Sequence, residues 1–136
     1  MDLYGACVRS IFDAVNDNTN LARFKDKVFS VQAPGNIPPP YILVNLNGGG
    51  RENVSPNDYA DTFWIVGVVS KTQYEARNFY FELEKTLLNK ILPMVDGWRM
   101  WSKITMSSPR MEVTDLQGDQ YWLASGLFRI RCVLEG

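Results

Sequence analysis

The sequence predicts an α+β domain in which two main helices pack on one face of an antiparallel β-sheet. Three observations carry this. An apolar stripe at four-residue spacing opens the chain, a capped amphipathic segment starts at Thr72, and residues 121–134 alternate with clean parity between two faces. With 136 residues, the chain is expected to form one domain, 1–136, large enough to bury a core without disulfides or metals.

The first helix is expected near 3–16. Leu3, Cys7, Ile11 and Val15 recur every four residues with Tyr4, Val8 and Phe12 beside them, a wide apolar face at helical period. Asp17-Asn18-Thr19-Asn20 ends it as a polar turn, and Leu21 and Phe24 point to a short further turn. Val28 to Val31 reads as a short strand. Pro38-Pro39-Pro40 then bars helix and favours a stiff extended connector. Tyr41 to Leu46 reads as a strand. Gly48-Gly49-Gly50 with Asn53, Ser55, Pro56 and Asn57 reads as a flexible loop over about 47–60; loops of that length in compact domains are usually functional or disordered.

Thr62 to Ser70 is apolar on both faces and belongs in the middle of a sheet or at a subunit contact. Thr72-Gln73-Tyr74-Glu75 matches a capping box, and Ala76, Phe79, Tyr80, Leu83, Leu87 and Ile91 extend it as a helix over 72–91, stopped by Pro93. An antiparallel meander follows. Trp98, Met100, Ser102, Ile104 and Met106 alternate with Arg99, Trp101, Lys103 and Thr105. Ser107 and Ser108 read as a turn before Pro109, and 111–116 as a short strand ending at a Gly118 turn. In 121–134, Trp122, Ala124, Gly126, Phe128, Ile130, Cys132 and Leu134 form the apolar face and therefore face the core.

The same residues argue against chemistry. The chain has no histidine, which removes the commonest general base and metal ligand together. The carboxylates are scattered without the pairing of a glycosidase or a calcium loop, and the glycine run lacks the Gly-Lys-Ser/Thr ending of a phosphate-binding loop. No cofactor is expected. Cys7 and Cys132 read as two buried thiols, with a bridge between them left open. The net charge of −1 argues mildly against a binder of nucleic-acid phosphates. The opening Met-Asp-Leu-Tyr has no signal-peptide pattern, and no run is long enough to span a membrane.

The aromatic residues say more. Of the four tryptophans, Trp64, Trp98 and Trp122 fall on core-facing parity. Trp101 falls on the opposite face beside Arg99 and Lys103, and Arg129 and Arg131 share that face from the last strand. An exposed tryptophan among cations marks an interface with a protein, or a base-stacking platform for single-stranded nucleic acid. Arg51, Glu52 and Asp58 of the expected loop join these five as candidate contact residues. Balancing acidic residues are expected on a separate patch, with Asp58, Asp61, Glu82 and Glu84 as candidates.

The order of parts along nearly the whole chain resembles the tail-completion, or tail-terminator, proteins of long-tailed bacteriophages. The resemblance runs through the opening Leu-x-x-x-Cys-Val-x-x-Ile-Phe helix, Ala33-Pro34, the Pro40-Tyr41-Ile42-Leu43-Val44 strand, the amphipathic helix from Thr72, Glu112 and Asp115, and the closing Phe128-Arg129-Ile130-Arg131 strand. The glycine run before Asp61 departs from it. The resemblance implies a non-enzymatic virion protein, assembled in the host cytoplasm, that forms a homo-oligomeric, typically hexameric ring at the tail–neck junction. Its implied partners are the major tail tube protein and a head-completion or stopper protein, with non-specific contact to DNA passing through the ring. Another neck or tail-tube component of similar build is the alternative.

Overall fold

The computed structural model describes residues 2–30, 37–54, 57–116 and 118–134. Helix α1 spans Leu3–Asp17; Asp2 caps it by accepting the Gly5 N–H at 2.8 Å. A short 3₁₀ helix, Thr19–Phe24, follows. Strands β1 (Val28–Ser30), β2 (Tyr41–Val54) and β3 (Asn57–Ser70) precede helix α2 (Gln73–Leu87). β4 (Trp98–Met100), β5 (Thr105–Leu116) and β6 (Asp119–Leu134) complete the order.

The six strands form one sheet in the order β1-β2-β3-β6-β4, with β5 also paired to β6. The expected antiparallel sheet is found with one exception: β1 runs parallel to β2. β4 and β5 lie along the same edge of β6, opposite its C-terminal and N-terminal halves respectively. They act as a single edge strand interrupted at residues 101–104, where Ile104 drops into the core.

Both helices cover one face. Cys7, Ile11 and Val15 of α1 and Ala76, Leu83 and Leu87 of α2 are buried against Trp64, Val66 and Val68 of β3 and Phe128, Ile130 and Cys132 of β6. The parity read for 121–134 holds: Phe128, Ile130 and Cys132 are at most 1% exposed, and Trp122 packs half-buried at the margin. Thr62 forms a polar hub in the core. Thr62 Oγ1 donates to the Ile130 carbonyl and accepts the Trp64 indole N–H, each at 2.8 Å, so the largest core side chain leaves no donor unpaired. Cys7 and Cys132 share this interior as free thiols. The hydrogen bond between them, and burial, push the Cys7 thiol up.

Three expectations need correction. The loop read over 47–60 is instead the outer part of a β-hairpin: β2 and β3 pair residue by residue from Tyr41 opposite Val69 to Val54 opposite Asn57. The glycines serve a bulge between Leu46 and Gly48. Gly49 has φ +85°, and a Cβ there would lie 2.0 Å from the Asp61 carbonyl oxygen, so only glycine lets the two backbones close at this point. Residues 55–56 and the side chains of 51–58 lie outside the described residues, as does the Ala33-Pro34 connector.

The second helix stops at Leu87, short of Ile91, because the following backbone is claimed elsewhere. Asn89 takes φ +63°; its N–H donates to the Ile104 carbonyl, and the Ile104 N–H donates to the Lys90 carbonyl, both at 2.9 Å. At its start, Thr72 caps as expected by accepting the Glu75 N–H at 3.1 Å, but the Glu75 carboxylate pairs with Arg23 at 3.0 Å. The third correction is that Ser107 and Ser108 lie in β5, at a bulge between Ser107 and Arg110, and do not form a turn.

Candidate functional site

The face of the sheet away from the helices carries the candidate contact residues. Alternation puts Tyr59, Asp61 and Phe63 of β3 on this face, and register sets Tyr59 opposite Val133, Asp61 opposite Arg131 and Phe63 opposite Arg129. Along β4 and its continuation Arg99, Trp101 and Lys103 are exposed, while Trp98, Met100 and Ile104 are buried. Parity therefore survives even where the ladder is interrupted.

These side chains form a connected strip. The Arg129 guanidinium reaches diagonally to the Asp61 carboxylate, donating Nε–H to Oδ1 at 2.8 Å and a second, very short bond to Oδ2. It also lies 5.4 Å from the Phe63 ring centre. The Arg131 guanidinium stands 5.0 Å from the Trp101 ring centre and donates to Ser102 Oγ at 2.7 Å. Tyr59 meets Trp101 edge-on, with ring centres 6.4 Å apart. Cation–π contacts of this kind contribute about 0.5–1 kcal/mol each at exposed sites. The strip thus holds Trp101 in a defined orientation although it is 45% exposed.

One expectation changes here. Asp61 does not belong to a separate acidic patch; it sits within the cationic face and is committed to Arg129. Glu82 lies on α2, away from this face, 3.6 Å from Lys85 of its own helix. The side chains of Arg51, Glu52 and Asp58 lie outside the described residues; by backbone register Arg51 stands opposite Ala60, Glu52 opposite Tyr59 and Asp58 opposite Leu134. Tyr59 and Phe63 were not singled out from sequence, although both share the parity of Asp61 and so announce the same face.

The Arg129 hydrogen bonds hold the Asp61 carboxyl below the usual carboxylate range, against the opposing effect of burial. The folded state therefore favours the ionised acid. Its stabilising contribution is fully present above the ordinary carboxylate pKa of about 3.9 and is lost as pH falls from there through the lowered value. Asp61→Asn should accordingly destabilise the protein more at pH 7 than near pH 3, measured by urea unfolding at both. An equal difference at the two pH values would contradict the ion-pair assignment.

Among the described residues no group of three or more His, Cys, Asp or Glu side chains could hold a metal ion. No helix there is long and apolar enough to cross a membrane.

The architecture has a counterpart among solved structures. A chain from the virion of a native gene transfer agent particle superposes at a TM-score of 0.74, with 15% sequence identity, over 96% of this chain and 97% of that one. The two share a fold. A second solved chain, which carries no functional description, superposes at a TM-score of 0.53 with 13% identity over 95% of this chain and 92% of its own. No protein-family model matches the sequence, and no curated protein matches it either.

Proposed function

We propose that this chain is a non-enzymatic structural protein of a tailed virion, which forms a ring that caps the tail tube and joins the tail to the head-neck. The observation that carries the reading is the end-to-end likeness to a chain of a gene transfer agent virion, which leaves almost nothing of either chain uncovered. The tail-terminator resemblance of the sequence points independently in the same direction. In this reading the outer sheet face meets the tube protein, the head-completion protein or DNA in the ring bore. The strip of Arg131, Trp101 and Lys103 supplies its aromatic anchor and its positive charge.

Base stacking by Trp101 is disfavoured. One neighbour of the ring is already the Arg131 guanidinium and another is Tyr59, whereas a stacking platform needs an open aromatic face.

A ring requires self-association. Sedimentation of the purified protein, alone and with tail tubes, should give a discrete assembly near six times the 15.5 kDa chain mass, or tubes bearing the protein at their ends. A chain that stays monomeric and ignores tubes would contradict the proposal.

A further inference from the structure

The first helix and the last strand meet through sulfur. Cys7 lies on the buried stripe of α1, between Leu3 and Ile11. Cys132 lies on the helix side of β6, in one row with Ala60 of β3 and Met100 of β4. Both cysteines are 0% exposed and belong to the same buried cluster. Their side chains are hydrogen-bonded to each other, which sets the two sulfurs in contact. They are the two cysteines of the whole sequence, so neither has another thiol of its own chain to pair with. Packing asks only for a small apolar side chain at each position. Two thiols brought together from opposite ends of the chain add a chemistry that packing does not need.

The pair is also polarised. The hydrogen bond from Cys7 draws the Cys132 thiol down, against burial and the charge of Asp61, while the same contact and burial push Cys7 up. A proton lost from the pair therefore comes from Cys132, and Cys7 keeps its own. The thiolate is the reacting form of cysteine. With a peroxide as the oxidant, the Cys132 thiolate attacks one peroxide oxygen, the O–O bond breaks, and a sulfenic acid forms as hydroxide leaves. The hydroxide takes up the proton that Cys132 gave, making water. The Cys7 sulfur, already in contact, then attacks the Cys132 sulfur. Its proton leaves with the sulfenic hydroxyl as a second water, and the S–S bond forms. The two thiols lose two electrons, and the peroxide gains them. Access to the buried sulfurs requires α1 to lift transiently from the sheet, a local opening of the kind that folded chains undergo.

We propose that Cys7 and Cys132 form a redox clasp, open in reducing surroundings and closed by two-electron oxidation into a bond that ties α1 to β6. The bond closes almost the whole chain into one loop, and a cross-link over a long loop restricts the unfolded chain most. The clasp rests on the core contact and not on the virion reading, so a chain that ignores tail tubes would leave it standing. A protein that leaves a cell within a particle passes from reducing to oxidising surroundings, and under the proposed function the clasp closes after assembly.

The test uses the full chain, purified in reductant, freed of it and exposed to hydrogen peroxide. Peptide mapping should join the peptides holding Cys7 and Cys132 within one chain, and dithiothreitol should release them. Urea unfolding without reductant should show a folding equilibrium at least about tenfold more favourable in the oxidised chain than in the reduced one. Dithiothreitol should reverse that gain, which separates it from any effect of methionine oxidation. Cys132→Ala, compared with its own untreated state, should show neither the bridge nor the gain. Two thiols that still alkylate after peroxide treatment and denaturation, a bridge between copies, Cys132 carried on to sulfinic acid, or a bridge that leaves the unfolding midpoint unmoved would each overturn the inference.

Discussion

Phe128→Ala should destabilise the folded chain by about 3–5 kcal/mol, the usual cost of emptying a buried phenylalanine site. Phe128 is completely buried on the helix side of β6, with Trp64 opposite on β3 and Met106 opposite on β5. Both neighbours are anchored in the sheet, and the Trp64 indole is further tied to Thr62, so the cavity has little means of collapsing. Since a domain of this size has roughly 5–15 kcal/mol in total, the variant should unfold at a much lower urea concentration with an unchanged slope. A loss below about 1 kcal/mol would mean that the long strand is not packed as described.

The second large effect concerns assembly. Arg131→Glu with Lys103→Glu should abolish attachment to tail tubes while leaving the monomer folded. Both cations lie on the outer face and neither makes a direct ion pair among the described residues; Arg131 does stand opposite Asp61 and its charge helps hold that carboxyl ionised, but the Asp61 hydrogen bonds go to Arg129, so the variant should lose some stability and still fold. Like charges set against each other at an interface cost several kcal/mol, which corresponds to at least about a hundredfold in affinity. Arg129→Glu is a different experiment. It places a second carboxylate against Asp61 and should lower the stability of the monomer itself, and Asp61→Arg in the same chain should restore part of the loss. If the Arg131→Glu, Lys103→Glu protein attaches normally, the outer face is not the contact surface.

What could be read from sequence follows the range of the interactions. Parity along a strand is local, and the alternation in 121–134 and around Trp101 assigns the helix-side core residues Phe128, Ile130 and Cys132 before any partner strand is known, although Ser125 and Val133 of the other face are buried as well. Helix starts are local too: Asp2 and Thr72 act where their side chains alone would put them. The end of α2 is not local, because Asn89 and Lys90 bond to Ile104, fourteen or more positions away. The triple glycine misleads for the same reason. Taken alone it signals a flexible loop, yet Gly49 is there because the Asp61 backbone passes too close for a Cβ, which only the β2–β3 register reveals. Within the site, the cationic face is legible as charge at alternate positions. That Asp61 neutralises Arg129 is not, since the two are 68 positions apart and meet only across the sheet.

The capping role is tested most directly by finding the chain in the particle. Electron microscopy of virions carrying a gold-labelled copy should place label at a single level, the head-proximal end of the tail, and particles made without the chain should appear as separate heads and uncapped tails. Label spread along the tail, label over the capsid shell, or normally joined particles in its absence would contradict a ring that closes the tube.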